Sequence, residues 1–126
     1  MELQIGLKAE FEIIVSPKDT AAQYGSGSLN VFATPAMIAL MEKTAMLCIS
    51  KQLKEGQNSV GTEINVKHIK ATPIGEAVLC IAKLIEIDRA KLTFSVEAFD
   101  NEGIIGLGTH KRFLIDEEQF MAKVSR

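Results

Sequence analysis

The chain has 126 residues and a mass of 13.8 kDa, enough to bury a core without disulfides or a structural metal, so we expect one domain over residues 1–126. Hydrophobic residues make up 47% and charged residues 24%, which excludes a disordered chain, and no apolar run approaches the roughly 20 residues of a membrane-spanning helix. The formal net charge of -2 provides no overall positive field, so neither nucleic acid nor a membrane is an expected partner.

The first predicted element is a strand over residues 8–15, where apolar Ala9, Phe11 and Ile13 alternate with charged neighbours. The residues before it lack the charged-then-apolar order of a signal peptide, so we expect a cytoplasmic protein. A polar, glycine-bearing stretch follows over residues 16–30 and predicts a long loop that covers a site.

A helix is expected from residue 34 to about residue 54. Thr34 is a good N-cap, Pro35 suits the first helical position, and Gly56 suits a left-handed turn after the helix. Between residues 34 and 50 the formal charges are Glu42 and Lys43, and apolar residues occupy nearly every side. Such a helix is expected to be central and surrounded by protein.

After the helix the apolar period changes to that of a sheet, which predicts four further strands. Turn signals at residues 72–75, 88–89 and 100–103 separate these strands. The strands are defined by Val60, Ile64 and Val66, by residues 78–87, by Leu92, Phe94, Val96 and Ala98, and by residues 104–115. This order predicts an α+β domain in which a long curved antiparallel sheet wraps around one central helix, the hot-dog architecture.

The two cysteines, Cys48 and Cys80, have apolar neighbours on both sides. We therefore expect buried thiols that pack as small hydrophobic side chains in a reducing compartment. Two distant cysteines and two histidines provide no metal-ligand spacing, so no metal is expected.

Two residues on the predicted helix are candidates for chemistry. Glu42 places a carboxylate among apolar neighbours three and four positions away, where an unpaired charge is costly. It is either a catalytic carboxylate or the partner of an adjacent lysine such as Lys43. Thr34 lies just over two turns earlier, so both side chains share roughly one side of the helix. Thr34 is either only an N-cap or a hydroxyl that faces the same cleft as Glu42, beside the free backbone donors of the helix start.

The strand after the helix adds two more candidates. His68 continues the predicted inward face of Val60, Ile64 and Val66, so it is either a satisfied core residue or an acid, base or carboxylate partner. Gly61 is either a strand-entry residue or presents its N–H to an oxyanion.

A run of three potential cations, His110, Lys111 and Arg112, follows on the last strand. The run is either a solvated edge that discourages aggregation or, with Lys67 and Lys70, a supply of counter-charges for a ligand that carries phosphates.

Three segments resemble the fluoroacetyl-CoA-thioesterase-like family of hot-dog proteins: VFATPAMIALMEKTA at residues 31–45, VGTEINVKHIKATPIGE at 60–76 and GLGTHKRFLID at 106–116. The resemblance implies an acyl-CoA thioesterase that needs no cofactor besides the coenzyme A of its substrate. It also implies a homodimer or a higher oligomer, in which two sheets join edge to edge with the sites at the interface.

The resemblance further implies a role for each candidate. Thr34, Glu42 and His68 would be the catalytic hydroxyl, carboxylate and imidazole. Gly61 would contact substrate near the thioester carbonyl, and Arg112 matches a basic position of the family. With Lys111, whose charge suits phosphates, these are the candidate substrate-binding residues.

One stretch departs from the family pattern. Aromatic side chains before the helix form a lid in the fluoroacetyl-selective type, whereas residues 25–28 here are Gly-Ser-Gly-Ser. The expected substrate is therefore a short or medium acyl-CoA, or a related thioester, without selectivity for a fluorinated group. The alternatives are a hydratase or dehydratase on the same fold and a non-catalytic dimer that binds acyl-CoA.

Overall fold

The computed structural model describes residues 2–126 and contains one five-stranded antiparallel sheet, with strand order β1-β3-β4-β5-β2. The strands are β1 (Lys8–Ile14), β2 (Gln57–His68), β3 (Ala77–Asp88), β4 (Lys91–Asp100) and β5 (Gly103–Asp116). The helices are α1 (Ala21–Tyr24), α2 (Thr34–Ile49) and α3 (Glu117–Val124). Helix α2 packs most extensively on β3. The predicted hot-dog architecture is confirmed, and β1 and β2 form the two edges of the sheet.

The core lies between α2 and the inner face of the sheet. It consists mainly of aliphatic side chains with Phe32 and Phe94, and it includes both cysteines. Cys48 and Cys80 are buried free thiols, as predicted, and burial raises the pKa of Cys48 to about 11. Thiols that are buried and protonated in this way are inert structural groups.

Helix α2 differs from the prediction at both ends. Its N-cap is Ala33, whose backbone is extended, so Thr34 and Pro35 occupy the first helical turn and the predicted N-cap role of Thr34 is wrong. The Thr34 hydroxyl bonds to a side chain on β2 instead. At the other end the helix stops at Ile49, five residues early, because the chain tightens into the 3₁₀ turn Ser50–Gln52. Gly56 has the predicted left-handed conformation, with φ 83°, but serves the turn that leads into β2.

One side of α2 remains uncovered in the single chain. Ala39, Lys43, Met46 and Leu47 are exposed, although the sequence predicts a helix surrounded by protein. Ala39 and Lys43 lie toward edge strand β1, whereas Met46 lies beside the other edge strand, β2. The residue that follows β2, Ile69, is also exposed. An apolar margin is therefore left open where the sheet ends.

Strand β2 contains a β-bulge between Gly61 and Glu63, and this corrects the predicted inward face. An ideal Cβ on Gly61 would contact side chains from α2 and β5, so Gly61 faces the helix and Val60 turns to the outer face beside exposed Phe113. Alternation restarts after the extra residue, Thr62. A strict period of two cannot reveal such an insertion.

Two further segments were not predicted as helical. The expected loop at residues 16–30 contains the 3₁₀ turn Pro17–Asp19 and α1, which buried Thr20 caps by accepting a hydrogen bond from the Gln23 N–H. The chain ends in α3, capped by Asp116 through the Gln119 N–H. No helix in the described part of the chain is long and apolar enough to cross a membrane.

Candidate active site

The first part of the site is a hydrogen-bonded pair formed by Thr34 and His68. The Thr34 Oγ1 and His68 Nδ1 atoms are 2.8 Å apart, which joins the first turn of α2 to the end of β2. Phe32 packs edge-on against the imidazole, with ring centroids 6.3 Å apart. The pair lines a cleft of about 340 Å³, whose other walls come from the segment before α2 and from residues 69–71.

The second ring nitrogen of His68, Nε2, is buried and has no hydrogen-bond partner among residues 2–126. Burial lowers the pKa of His68 below 6.5, and a weaker backbone interaction at Lys70 partly offsets this effect. The imidazole is therefore neutral at pH 7. A neutral ring with one free nitrogen can accept or deliver a proton, as the acid or base role requires.

A buried carboxylate supports the far wall of this cleft. Asp100 has a fully buried side chain that accepts hydrogen bonds from Lys70 Nζ and Thr72 Oγ1, both at 2.8 Å. Burial alone would raise the pKa of Asp100, but these bonds and one from the Glu102 backbone N–H outweigh it and lower the pKa. Lys70, which lines the cleft, also pairs with the Glu102 carboxylate at 3.1 Å and is thus held by two protein carboxylates.

The second part of the site gathers around Gly61. An ideal Cβ built on Gly61 would lie 3.2 Å from Glu42 Oε2, 3.2 Å from His110 Cε1 and 3.4 Å from Arg112 Nη1. The missing side chain therefore leaves the space into which the Glu42 carboxylate projects. No ion pair within 4.0 Å involves Glu42 in the described chain. Lys43 instead lies over the Phe11 ring, 4.3 Å from its centroid, so the alternative in which Glu42 pairs with Lys43 is not formed.

Arg112 and His110 are buried, with exposed fractions of 5% and 0%, so the solvated-edge interpretation is wrong for both. Arg112 donates from Nε to Ser59 Oγ at 2.8 Å and from Nη2 to the Ser59 carbonyl at 3.0 Å. Its Nη1 contacts His110 Nε2 at 3.1 Å. Burial lowers the pKa of Arg112 and the nearby Glu42 charge raises it, but a guanidinium stays protonated in proteins.

The structure does not bring Lys111 to either part of the site. It stands between two residues that face the helix, so strand alternation directs its side chain to the opposite face of the sheet. Its register partners there are Glu63 and Thr93. Lys67 is likewise exposed and next to inward-facing His68.

The two parts of the site are separate within one chain. Thr34 and Glu42 are eight residues apart on α2, which corresponds to about 12 Å along the helix axis. His68 and Gly61 are seven residues apart on β2, which corresponds to about 20 Å along the strand when the bulge is allowed for. Sequence reasoning named these four residues and Arg112, but it missed Ser59, Asp100 and the role of His110. Their types and neighbours gave no signal, because their contacts depend on strand register.

The fold and these side chains define a hot-dog protein with acid-base residues at one edge of its sheet. The chain belongs to the FlK family, described as fluoroacetyl-CoA-specific thioesterase, whose family model matches residues 15–118. The resemblance drawn from the sequence is thereby confirmed.

Individual relatives agree with this assignment. The fluoroacetyl-CoA thioesterase of Streptantibioticus cattleyicolor is 34% identical over 128 residues, covering 97% of this chain and 92% of the relative. A solved structure of the fluoroacetyl-CoA thioesterase FlK has a TM-score of 0.93 at 34% identity and covers 99% of this chain and 97% of that chain. A Thermus thermophilus member of the thioesterase superfamily, TTHA0967, has a TM-score of 0.91 at 26% identity, covering 98% of this chain and 91% of that chain.

Proposed function

We propose that this protein is a thioesterase that hydrolyses an acyl-CoA to a carboxylic acid and free coenzyme A. The observation that carries the proposal is the Glu42 carboxylate, which lies beside Gly61 without an ion-pair partner among residues 2–126, in a chain of this family. Water is the co-reactant, and coenzyme A enters as part of the substrate. The buried thiols Cys48 and Cys80 suit the cytoplasm, where we place the reaction.

The chemistry requires the thioester C–S bond to break and a bond from the acyl carbon to a water oxygen to form. Glu42 either takes the proton of that water or attacks the carbonyl itself. The Gly61 N–H or the free N–H groups at the start of α2 hold the oxyanion, and Arg112 adds positive charge close to Glu42. His68 delivers a proton to the departing sulfur, and Thr34 orients the imidazole.

This division of roles requires the two parts of the site to meet, and a dimer across edge strand β2 would achieve that. If β2 pairs antiparallel with its own copy, centred on Asn65, and the extra residue Thr62 is skipped at the bulge, then His68 lies opposite the partner's Gly61. Both residues face the helix side of their sheets, so His68 would lie near the partner's Glu42. The exposed apolar residues beside this edge, Met46 and Ile69 among them, support burial at such an interface.

The size of the cleft supports a short or medium acyl group. A cleft of about 340 Å³ beside Thr34 and His68 is at the lower end of the range for small-molecule pockets. Ser26 and Ala21 line its outer wall, and the one tyrosine of the chain, Tyr24, is exposed. We therefore propose that a fluorinated acetyl group is not preferred over acetyl.

The experiment is to measure thiol release from acyl-CoAs of increasing chain length, with acetyl-CoA and fluoroacetyl-CoA compared directly. Hydrolysis of short or medium chains supports the proposal. Loss of the enoyl absorbance of crotonyl-CoA without thiol release would indicate a hydratase, and tight binding without turnover would indicate a binding protein. A preference for fluoroacetyl-CoA by orders of magnitude would contradict the proposed specificity.

Glu42→Gln tests the carboxylate itself. The variant keeps the size of the side chain and removes its basicity, so kcat should fall at least ~10²-fold while substrate binding survives. The matched control is Glu97→Gln, which neutralises an exposed carboxylate on the outer face of β4 and should leave kcat unchanged. A Glu42→Gln protein with a lowered thermal midpoint but wild-type turnover would show that Glu42 is a structural residue and has no catalytic role.

A further inference from the structure

A second histidine lies next to the proposed site but has no part in the proposed chemistry. His110 is completely buried on β5, where its ring stacks on Phe94 with centroids 6.3 Å apart. Its Nδ1 is 2.8 Å from the Glu63 carbonyl oxygen, and its Nε2 is 3.1 Å from Arg112 Nη1. Both ring nitrogens therefore form hydrogen bonds, one with a group that can only accept and one with a group that can only donate.

These partners select one protonation state of the ring. A carbonyl oxygen only accepts hydrogen bonds, so Nδ1 carries the proton and donates it to Glu63. A guanidinium only donates, so Nε2 carries a lone pair and accepts from Arg112. His110 is thus a neutral imidazole with the proton on Nδ1. Its lowered pKa agrees, because burial and the Arg112 charge disfavour a second proton more than the Glu63 carbonyl and the Glu42 charge favour it.

The His110 ring orients the guanidinium of Arg112. Arg112 donates hydrogen bonds to three acceptors: Ser59 Oγ, the Ser59 carbonyl and His110 Nε2. The second hydrogen of Nη1 has no partner in the described chain, and Nη1 lies 3.4 Å from the position that a Gly61 Cβ would take. That position is also 3.2 Å from Glu42 Oε2. The bond to His110 therefore fixes the nitrogen of Arg112 that faces the proposed site.

We propose that His110 is a positioning residue, which as a neutral acceptor at Nε2 holds Arg112 Nη1 against Gly61 and Glu42. The inference rests on the proposed hydrolase activity, because its effect on catalysis is exerted through Arg112 and Glu42. His110 does not touch the substrate. It sets the direction of a positive charge that is useful only when held within a few tenths of an ångström.

Variants at position 110 test whether catalysis depends on a hydrogen-bond acceptor for Arg112 at this position. His110→Phe keeps the ring stacked on Phe94 and removes both nitrogens, so kcat should fall by about 10- to 100-fold, the cost of misplacing a catalytic group. His110→Gln retains an oxygen that can accept from Arg112, so it should keep kcat within a factor of about three. A His110→Phe protein with wild-type kcat would overturn the proposal. So would a folded His110→Gln protein as impaired as the phenylalanine variant.

A double-mutant cycle then separates positioning from general packing. If His110 acts through Arg112, the His110→Phe change should cost nothing further in an Arg112→Lys background. Effects that multiply would show that the two residues act independently and would overturn the proposal. A wild-type protein that hydrolyses no acyl-CoA would instead contradict the proposed function on which this inference rests.

Nitrogen NMR of the histidine rings gives a readout that needs no activity and no variant. At neutral pH the His110 ring should show a protonated Nδ1 and an unprotonated Nε2. A ring protonated at Nε2, or at both nitrogens, cannot accept from Arg112 and would overturn the proposal even if turnover is normal.

Discussion

At the scale of single residues, the most informative position is one that has no side chain. Gly61 does not need the conformational freedom of glycine, since its φ lies outside the left-handed region. It needs the empty volume, because Glu42, His110 and Arg112 all approach the place where a Cβ would stand. Gly103 is the opposite case, with φ 130° at the turn into β5 and no atom of the described residues within 4 Å of an added Cβ.

Alanine at these two glycines should therefore have opposite consequences. Gly61→Ala pushes the flexible end of Glu42 aside, so kcat should fall about 10-fold or more with a small change in thermal midpoint. Gly103→Ala strains the backbone, so the free energy of unfolding should fall by about 1 kcal/mol or more while kcat stays unchanged. Turnover and thermal midpoint measured on both variants check this. A Gly61→Ala protein that loses as much stability as Gly103→Ala and keeps wild-type turnover would contradict the prediction.

Stability should depend on pH because both histidines are neutral in the fold. The pKa values of His68 and His110 lie below the ordinary 6.5, chiefly because of burial, so the unfolded chain takes up protons first as the pH falls. The free energy of unfolding should thus decrease below about pH 6.5 until the folded pKa values are reached.

Urea titrations between about pH 7.5 and about pH 5.5 measure this effect, in a range above the ordinary pKa values of carboxyl groups. His110→Gln cannot gain a proton, so it should show a shallower decline than the wild type. A wild-type midpoint that is constant across this range would contradict the prediction.

At the scale of elements, the start of α2 decides what Thr34 does. An N-cap threonine stabilises its helix, whereas Thr34 lies within the first turn and directs its hydroxyl to His68. The Thr-Pro sequence alone is compatible with both arrangements, because they differ by one residue in where the helix begins. Asp116 is a true cap in the same chain, since its side chain accepts from the Gln119 N–H at the start of α3.

Thr34→Ala should accordingly reduce activity more than stability. Without the hydroxyl, His68 loses its orienting partner, so kcat should fall about 10-fold or more, and the free energy of unfolding should change by less than the ~1 kcal/mol of a lost cap. Asp116→Ala should show that loss of stability with normal kcat. Equal destabilisation by the two variants would restore the capping role to Thr34.

The strands and the central helix could be predicted from the sequence, whereas the bulge and the long-range contacts could not. Alternation and turn residues predicted five strands, and the composition of residues 34–50 predicted the central helix, because both are repeating patterns. The bulge at Thr62 is a single extra residue, and it moved Val60 to the outer face. The contact of Arg112 with Ser59 spans 53 positions and follows from strand register, which no local pattern encodes.

At the scale of the whole molecule, the two parts of the proposed site lie apart within each chain. Each chain carries Thr34 at the start of α2 beside His68 at the end of β2, and it carries Glu42 and Gly61 nearer the middle of the same two elements, beside Arg112. A two-fold axis through Asn65 of β2 would bring His68 of each chain close to Glu42 of the other chain and make two complete sites per dimer. The open edge of β2, with the exposed residues Met46 and Ile69 beside it, is what such an axis would bury.

Mixing two inactive variants tests this arrangement directly. His68→Ala and Glu42→Gln should each inactivate both sites of their own homodimer. A mixed dimer would combine an intact His68 with an intact Glu42 in one of its two sites. Random exchange at equal concentrations makes half of the dimers mixed, so about a quarter of the wild-type activity should return. Differently tagged chains that co-purify confirm the exchange, and sedimentation gives the size. Mixed dimers without recovered activity would show that each site is built within one chain, and a monomer at micromolar concentration would remove the interface altogether.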